Sequence, residues 1–101
     1  MIERSHRAKS FRDQLEKLPE RVRDDVERLF PIFMRDPMHP MLENHPLKDS
    51  KKGRHKRRSH AVTVSGRYRA LYVLDRDDDG VLAAVWYWIG THEDYNNFTS
   101  Y

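Results

Sequence analysis

The 101-residue chain contains no cysteine, which excludes a disulfide framework and a thiolate site and favours a reducing cytoplasm as its location. No apolar run approaches the roughly 20 residues that a membrane span needs, and no signal-peptide segment opens the chain. No segment repeats internally. Four Phe, five Tyr and two Trp supply large apolar surfaces that a disordered chain would lack. We therefore expect one globular domain over residues 1–101, with no membrane partner.

Positive charge is concentrated in the middle of the chain. Residues 40–70 contain nine Lys and Arg against two acidic residues, a local balance of +7. The other residues contain ten basic and fourteen acidic side chains, a balance of −4, which gives the net charge of +3. A cationic segment on a mildly acidic remainder is typical of proteins that bind a phosphate backbone.

Apolar side chains recur at helical spacing in the first third of the chain. This spacing predicts a helix over residues 8–18 and a second over residues 19–36, preceded by a short strand around residues 2–5. The apolar stripe of the second helix consists of Val22, Val26, Leu29 and Phe33. Pro31 lies inside this pattern, and we expect it to kink the helix or end it early, because its ring clashes with the carbonyl of Glu27.

The second half of the chain has the alternation of strands. Segments 59–65, 66–75 and 80–90 predict three strands, joined by turns at Ser65-Gly66 and Asp79-Gly80. The segment between the helices and these strands shows no periodicity and is predicted as a loop. The predicted fold is α+β, with an N-terminal helical hairpin on one face of a three- to four-stranded antiparallel sheet. A short helical turn is expected at the C-terminus.

The last strand contains both tryptophans of the chain. Strict alternation places Trp86 and Trp88 on one face of this strand and Tyr87 on the other. Gly90 is expected to let the chain turn, so that His92 stands at the rim of a groove. This arrangement predicts a site at the end of the sheet.

Two other patterns suggest metal ions but do not fit a metal site. "DRDDDG" at residues 75–80 matches the first half of a calcium loop, but Trp86 stands where the bidentate acid should be, which favours a charged hairpin tip. The six histidines show no ligand spacing typical of zinc. We expect neither a metal nor a cofactor.

The basic run leads into a strand that places Arg67 and Arg69 on one face, with tyrosines on the other. Cations beside aromatic rings are typical of surfaces that bind single-stranded RNA, although a solvated loop remains equally compatible with the run. The candidate RNA-binding cations are Lys48, Lys51, Lys52, Arg54, Lys56, Arg57, Arg58 and Arg67.

Three motifs in this order resemble the RelE/ParE superfamily of bacterial toxins. They are "HPLK" at residues 45–48, "GRYRALYVL" at residues 66–74 and "WIGTHEDY" at residues 88–95, and the similarity covers about residues 10–98. The histidines place the chain closest to the YafQ-like branch. The resemblance implies a type II toxin–antitoxin system, a cognate antitoxin as partner, and ribosome-dependent cleavage of mRNA. A ParE branch instead inhibits DNA gyrase.

The resemblance also implies roles for individual residues. His45 matches the position of a general base, Arg69 the arginine that braces the scissile phosphate, and His92 the C-terminal general acid. His60 matches a further histidine of the YafQ-like site. Tyr95 lies near an aromatic residue that stacks on a base in some members.

The chemistry of these residue types fits RNA cleavage without a metal. The substrate's own 2′-OH can act as nucleophile if a base, an acid and a cation surround the phosphate. Histidine suits both proton transfers near neutral pH, and arginine suits the oxygens of the phosphorane. Two alternatives remain open, namely a ParE-like gyrase inhibitor and an RNA-binding protein without catalysis.

Overall fold

The computed structural model describes residues 2–47 and 58–99. The elements are β1 (Arg4–Arg7), α1 (Lys9–Glu16), α2 (Glu20–Arg35), a 3₁₀ turn (Pro40–Leu42), β2 (His45–Pro46), β3 (His60–Ser65), β4 (Tyr68–Arg76), β5 (Leu82–Thr91) and α3 (His92–Thr99). The predicted α+β fold is confirmed. Within these two ranges, none of the helices combines the length and the apolar character that crossing a bilayer requires.

The sheet has five strands in the order β1-β5-β4-β3-β2, one more than the largest number predicted. All neighbours are antiparallel except β1, which runs parallel to β5. The additional strand is β2, which occupies two residues of the segment predicted as a loop. There, His45 faces Ala61, and the N–H of Leu47 donates to the carbonyl of Ser59 at 2.9 Å. A two-residue strand is too short to produce a periodic pattern.

Helices α1 and α2 lie on one face of the sheet and bury its larger core. Phe33 of α2 contacts Tyr72 and Trp86, with ring centroids 5.1 Å and 5.0 Å away. Fully burying a side chain of this size contributes about 1.5–3 kcal/mol. We call this side of the sheet the helix face. Its other buried members include Phe11, Leu15, Val22, Val26, Leu29, Val62, Ala70 and Ile89.

Pro31 does not end α2, which continues to Arg35, so the expected early end is wrong. The proline is exposed, on the solvent side of the helix, while Phe33 two residues later is fully buried. Burial of the residues after Pro31 offsets a backbone penalty of about 3 kcal/mol. The amide of Asp36 still donates to the carbonyl of Ile32 at 2.8 Å and closes the last turn.

The second core lies on the opposite side of the sheet, which we call the α3 face. Leu47, Ala61, Leu71 and Trp88 are buried there. Helix α3 covers them through Tyr95 and Phe98, and the ring of Phe98 stacks on Trp88 at 5.2 Å. The predicted helical turn is thus a full eight-residue helix.

Trp86 and Trp88 lie on opposite faces, which corrects the prediction that they share one. Tyr72 pairs with Trp86 and Leu71 pairs with Trp88, so Tyr87 is an extra residue in β5. This β-bulge places Tyr87 and Trp88 on the same side of the sheet, because the extra residue shifts the alternation by one.

Gly90 remains within β5, so it does not turn the chain as predicted. Its function is to admit the ring of Trp88, since a Cβ at residue 90 would lie 2.8 Å from Cη2 of that ring. The chain changes direction after Thr91, whose hydroxyl accepts a 3.1 Å hydrogen bond from the amide of Asp94. Thr91 therefore caps α3.

The β4–β5 hairpin ends in the acidic run, which forms a closed turn. The carboxylate of Asp77 accepts hydrogen bonds from the amides of Asp79 and Val81 and from the side chains of Arg4 and His6. Desolvation raises the pKa of Asp77, but these donors outweigh it and lower the pKa to about 2. The predicted hairpin tip is therefore held by its own amides and by β1.

Candidate functional site

Strand pairing places two of the predicted site residues on the α3 face. His45 pairs with Ala61, Thr63 pairs with Arg69, and Arg69 pairs with Gly90. Residues that face each other across neighbouring strands point to the same side of a sheet. Two strand spacings and an offset of two residues put the Cα atoms of His45 and Arg69 roughly 12 Å apart.

A groove lies where the β3–β4 turn meets the start of α3. The amide of His92 donates to the carbonyl of Arg67 at 2.7 Å, which fixes the helix beside the turn. The groove encloses about 720 Å³, within the range of about 300–1,000 Å³ typical of ligand pockets. Its lining residues are Arg21, Gly66, Arg67, Tyr68, Arg69, Thr91, His92 and Glu93. The fold thus brings Arg69 and His92 to one groove.

Arg69 is half-buried, and its side chain hydrogen-bonds to main-chain carbonyls. Its guanidinium donates to the carbonyls of Tyr68 at 3.1 Å and Ser65 at 3.5 Å. Among residues 2–47 and 58–99, it forms no ion pair with a carboxylate. Carbonyl partners orient the guanidinium without cancelling its charge, so it can pair with a phosphate.

His45 has a defined tautomer. Its Nδ1 lies 2.8 Å from the carbonyl oxygen of Glu43. Because a carbonyl only accepts, Nδ1 of the neutral ring carries the proton and Nε2 has the lone pair. Glu43 has the left-handed backbone conformation, with φ of 49°, and its carboxylate accepts a 2.9 Å hydrogen bond from Thr63. The exposed Nε2 edge of His45 is therefore available as a proton acceptor.

His92 and Tyr95 form a short aromatic row on α3. Their rings stack with centroids 6.1 Å apart, and Tyr95 lies 6.4 Å from the ring of Trp88. Burial raises the pKa of Tyr95, and the charge of Arg69 partly opposes this effect. Tyr95 is therefore neutral at physiological pH, and it lies close enough to Arg69 to sense its charge.

His60 is not brought to this groove. Its ring stacks on Tyr72 at 5.1 Å, on the helix face, whereas Arg69 lies on the other side of the sheet. Its Nδ1 is buried and has no hydrogen-bond partner in the part of the chain that the structure describes. Burial first, then the charges of Arg58 and His45, lower the pKa of His60. The sequence motif carried no information about which side of β3 this ring would occupy.

The structure describes two of the eight predicted RNA-binding cations, Arg58 and Arg67. Arg67 is exposed in the β3–β4 turn, and Arg58 donates to the carbonyl of Leu47 at 2.8 Å. Six others lie outside the described residues: Lys48, Lys51, Lys52, Arg54, Lys56 and Arg57.

Arg21 lines the groove, but the sequence pattern did not predict it as a site residue. It lies in the first turn of α2 on the exposed side of the helix, where a lone charge has the pattern of an ordinary solvated residue. No motif surrounds it. Only the packing of α2 against the sheet brings this side chain to His92 and Arg69.

Two solved structures share this fold. The chain resembles a YoeB/ParE toxin from Agrobacterium tumefaciens with a TM-score of 0.64 and 15% identity, over 88% of this chain and 98% of that one. It resembles the archaeal RelE–RelB complex from Pyrococcus horikoshii OT3 with a TM-score of 0.58 and 17% identity, over 84% of this chain and 91% of that one. No protein-family model and no curated protein matches the sequence. The chain has the fold of these two structures, as predicted.

Proposed function

We propose that this protein is the toxin of a type II toxin–antitoxin system and cleaves mRNA on the ribosome without a metal ion. The observation that carries the proposal is the groove that joins Arg69 to His92, with His45 on the same side of the sheet. The toxin fold shared with the two solved structures supports it. The finer assignment to the YafQ-like branch stays a prediction.

The proposed reaction is attack of the substrate's 2′-oxygen on the adjacent phosphorus. Nε2 of His45 takes the proton of the 2′-OH, and the new P–O bond forms as the bond from phosphorus to the 5′-oxygen breaks. His92, in its protonated form, gives a proton to the departing 5′-oxygen. The products are a 2′,3′-cyclic phosphate and a 5′-hydroxyl, and no further reactant is needed.

Arg69 stabilises the charge that develops on the phosphorane. Its guanidinium is held by two main-chain carbonyls, so it does not have to reorganise during the reaction. Each positioned acid or base contributes about 10²–10⁴-fold. The ribosome would supply the remaining rate enhancement by holding the mRNA in reactive geometry.

The proposed protein partner is an antitoxin. One of the two structural neighbours is a complex of RelE with RelB, which shows this fold bound to a second protein in that case. The cationic segment of residues 40–70, with a balance of +7, would attract an acidic segment of such a partner.

Induction of the protein in growing cells tests the proposal. We expect cleavage of translated mRNA within the ribosomal A site, 2′,3′-cyclic phosphate ends, and unchanged activity of protein that has been dialysed against EDTA before it is added to ribosomes in magnesium buffer. Loss of cleavage after this dialysis would contradict the metal-free mechanism. Intact mRNA together with inhibited DNA supercoiling would identify a gyrase inhibitor instead.

A further inference from the structure

We infer that Arg21 and Arg67 form a second phosphate subsite, which holds an RNA phosphate next to the one that Arg69 and His92 act on. The inference rests on the proposed function and extends it to the length of RNA that the groove recognises. It assigns a binding role to α2, a helix that otherwise only builds the core.

The geometry places the two guanidinium groups on the same groove from two separate elements. Arg21 belongs to the first turn of α2, and Arg67 belongs to the turn between β3 and β4. Both line the groove with Arg69 and His92. Since the carbonyl of Arg67 anchors the start of α3, this turn is held in place beside His92.

Neither of the two arginines forms an ion pair with a described carboxylate. Three other arginines do form such pairs: Arg4 with Asp77 and Asp79, Arg7 with Glu27, and Arg28 with Asp25. Arg21 and Arg67 are exposed, and no side-chain hydrogen bond or ion pair engages either of them within residues 2–47 and 58–99.

Three arginines and one carboxylate, Glu93, line the groove, so with neutral histidine its charge is +2. A concave surface with this balance attracts anions, and a guanidinium pairs with phosphate oxygens through two parallel hydrogen bonds. A single arginine fork can already engage both free oxygens of one phosphodiester. The groove therefore has more cations than a single phosphate needs.

A nucleic acid fits this groove better than an acidic peptide. The aromatic row of His92 and Tyr95 continues from the groove onto α3, and flat rings beside cations are the arrangement that stacks bases while holding the backbone. An acidic peptide would use the cations but not the rings. The subsite thus predicts that a substrate needs a phosphate beyond the scissile one.

NMR titration of the full chain tests this with two non-cleavable 2′-O-methyl ligands, a dinucleotide with one phosphate and a trinucleotide with two. The wild type should bind the trinucleotide more tightly. Arg21→Gln should weaken trinucleotide binding about tenfold and leave the dinucleotide unchanged, because only the second phosphate loses a charge-assisted partner. The slope of log affinity against log salt should also fall by about 0.7. Arg67→Gln should have the same effect.

Arg23→Gln is the matched control, since Arg23 is the next arginine on α2 and does not line the groove. Equal trinucleotide affinity for Arg21→Gln and Arg23→Gln would overturn the subsite. An equal loss of both ligands would also overturn it. If Arg21→Gln released only an acidic peptide and kept the trinucleotide, the groove would be a peptide site instead. Wild-type protein that binds the trinucleotide but cleaves no mRNA would contradict the proposed function alone.

Discussion

Trp86 and Trp88 are two residues apart on β5, yet they lie on opposite faces of the sheet. Trp86 is fully buried against α2, and Trp88 lies under α3 beside Tyr95. The bulge at Tyr87 produces this reversal. Bulges often re-aim side chains next to functional sites. Here the bulge places the ring of Trp88 under α3, the helix that begins with His92.

Replacing Gly90 with alanine should destabilise the protein by about 1–3 kcal/mol, because the new Cβ would overlap the ring of Trp88. Urea unfolding measures the change. Gly66→Ala is the control, since nothing lies within 4 Å of a Cβ there. A second substitution, Trp88→Leu, removes the ring and should make the alanine at residue 90 less costly. Simple additivity of the two changes would show that the ring does not set the requirement for glycine.

Arg69→Ala and His92→Ala should each lower ribosome-dependent cleavage, by about 10²–10³-fold and 10²–10⁴-fold respectively. The fold should survive, because the amide of residue 92 still donates to the carbonyl of Arg67. Cleavage assays and thermal unfolding of the same preparations separate the two effects. Arg23→Ala and His39→Ala serve as controls with near-normal activity. Full cleavage by His92→Ala would show that this histidine is not the general acid.

His45→Ala should lower cleavage by about 10²–10⁴-fold, because the 2′-OH loses the base that accepts its proton. Added imidazole should restore part of the activity, since the ring of His45 is exposed and leaves an open space. A merely structural residue would show no such rescue, and that result would remove His45 from the mechanism.

His60 should make stability fall as the pH falls. Its pKa is lowered in the folded state by burial and by the charges of Arg58 and His45. The imidazole therefore binds more protons in the unfolded chain than in the folded one. The contribution of His60 to stability is fully present above the pKa of histidine in the unfolded chain, about 6.5. It is lost at lower pH, with a slope of up to about 1.4 kcal/mol per pH unit. His60→Phe keeps a ring that can stack on Tyr72 and removes the group that binds the proton.

Urea unfolding at pH 7.5 and pH 5 measures this contribution. The wild type should lose more stability between the two values than His60→Phe does, whereas His39→Phe should follow the wild type. Equal losses in the wild type and His60→Phe would mean that the buried ring accepts a proton without penalty. Activity need not change with this variant, because the ring lies on the helix face.

The sequence alone determined helices α1 and α2, the three long strands and two residues that line the groove, Arg69 and His92. Helical spacing in α1 and α2 and alternation in β3, β4 and β5 are local patterns, because each can be recognised within a few turns or residues of one element. The motif around Arg69 and the one ending at His92 were likewise readable, since each lies within a few consecutive residues. The number of long strands and the α+β class followed from these local patterns.

Tertiary packing decided what depends on contacts between distant segments. The bulge at Tyr87 arises from the pairing of β4 with β5. The extra residue moves each later side chain of β5 to the side of the sheet opposite the one that strict alternation predicts. His60 and Arg69 are on strands that pair, but the side each ring or guanidinium takes is set by the sheet register and by burial against Tyr72. Arg21 joins the groove only because α2 packs on the sheet, a contact that no spacing within α2 encodes.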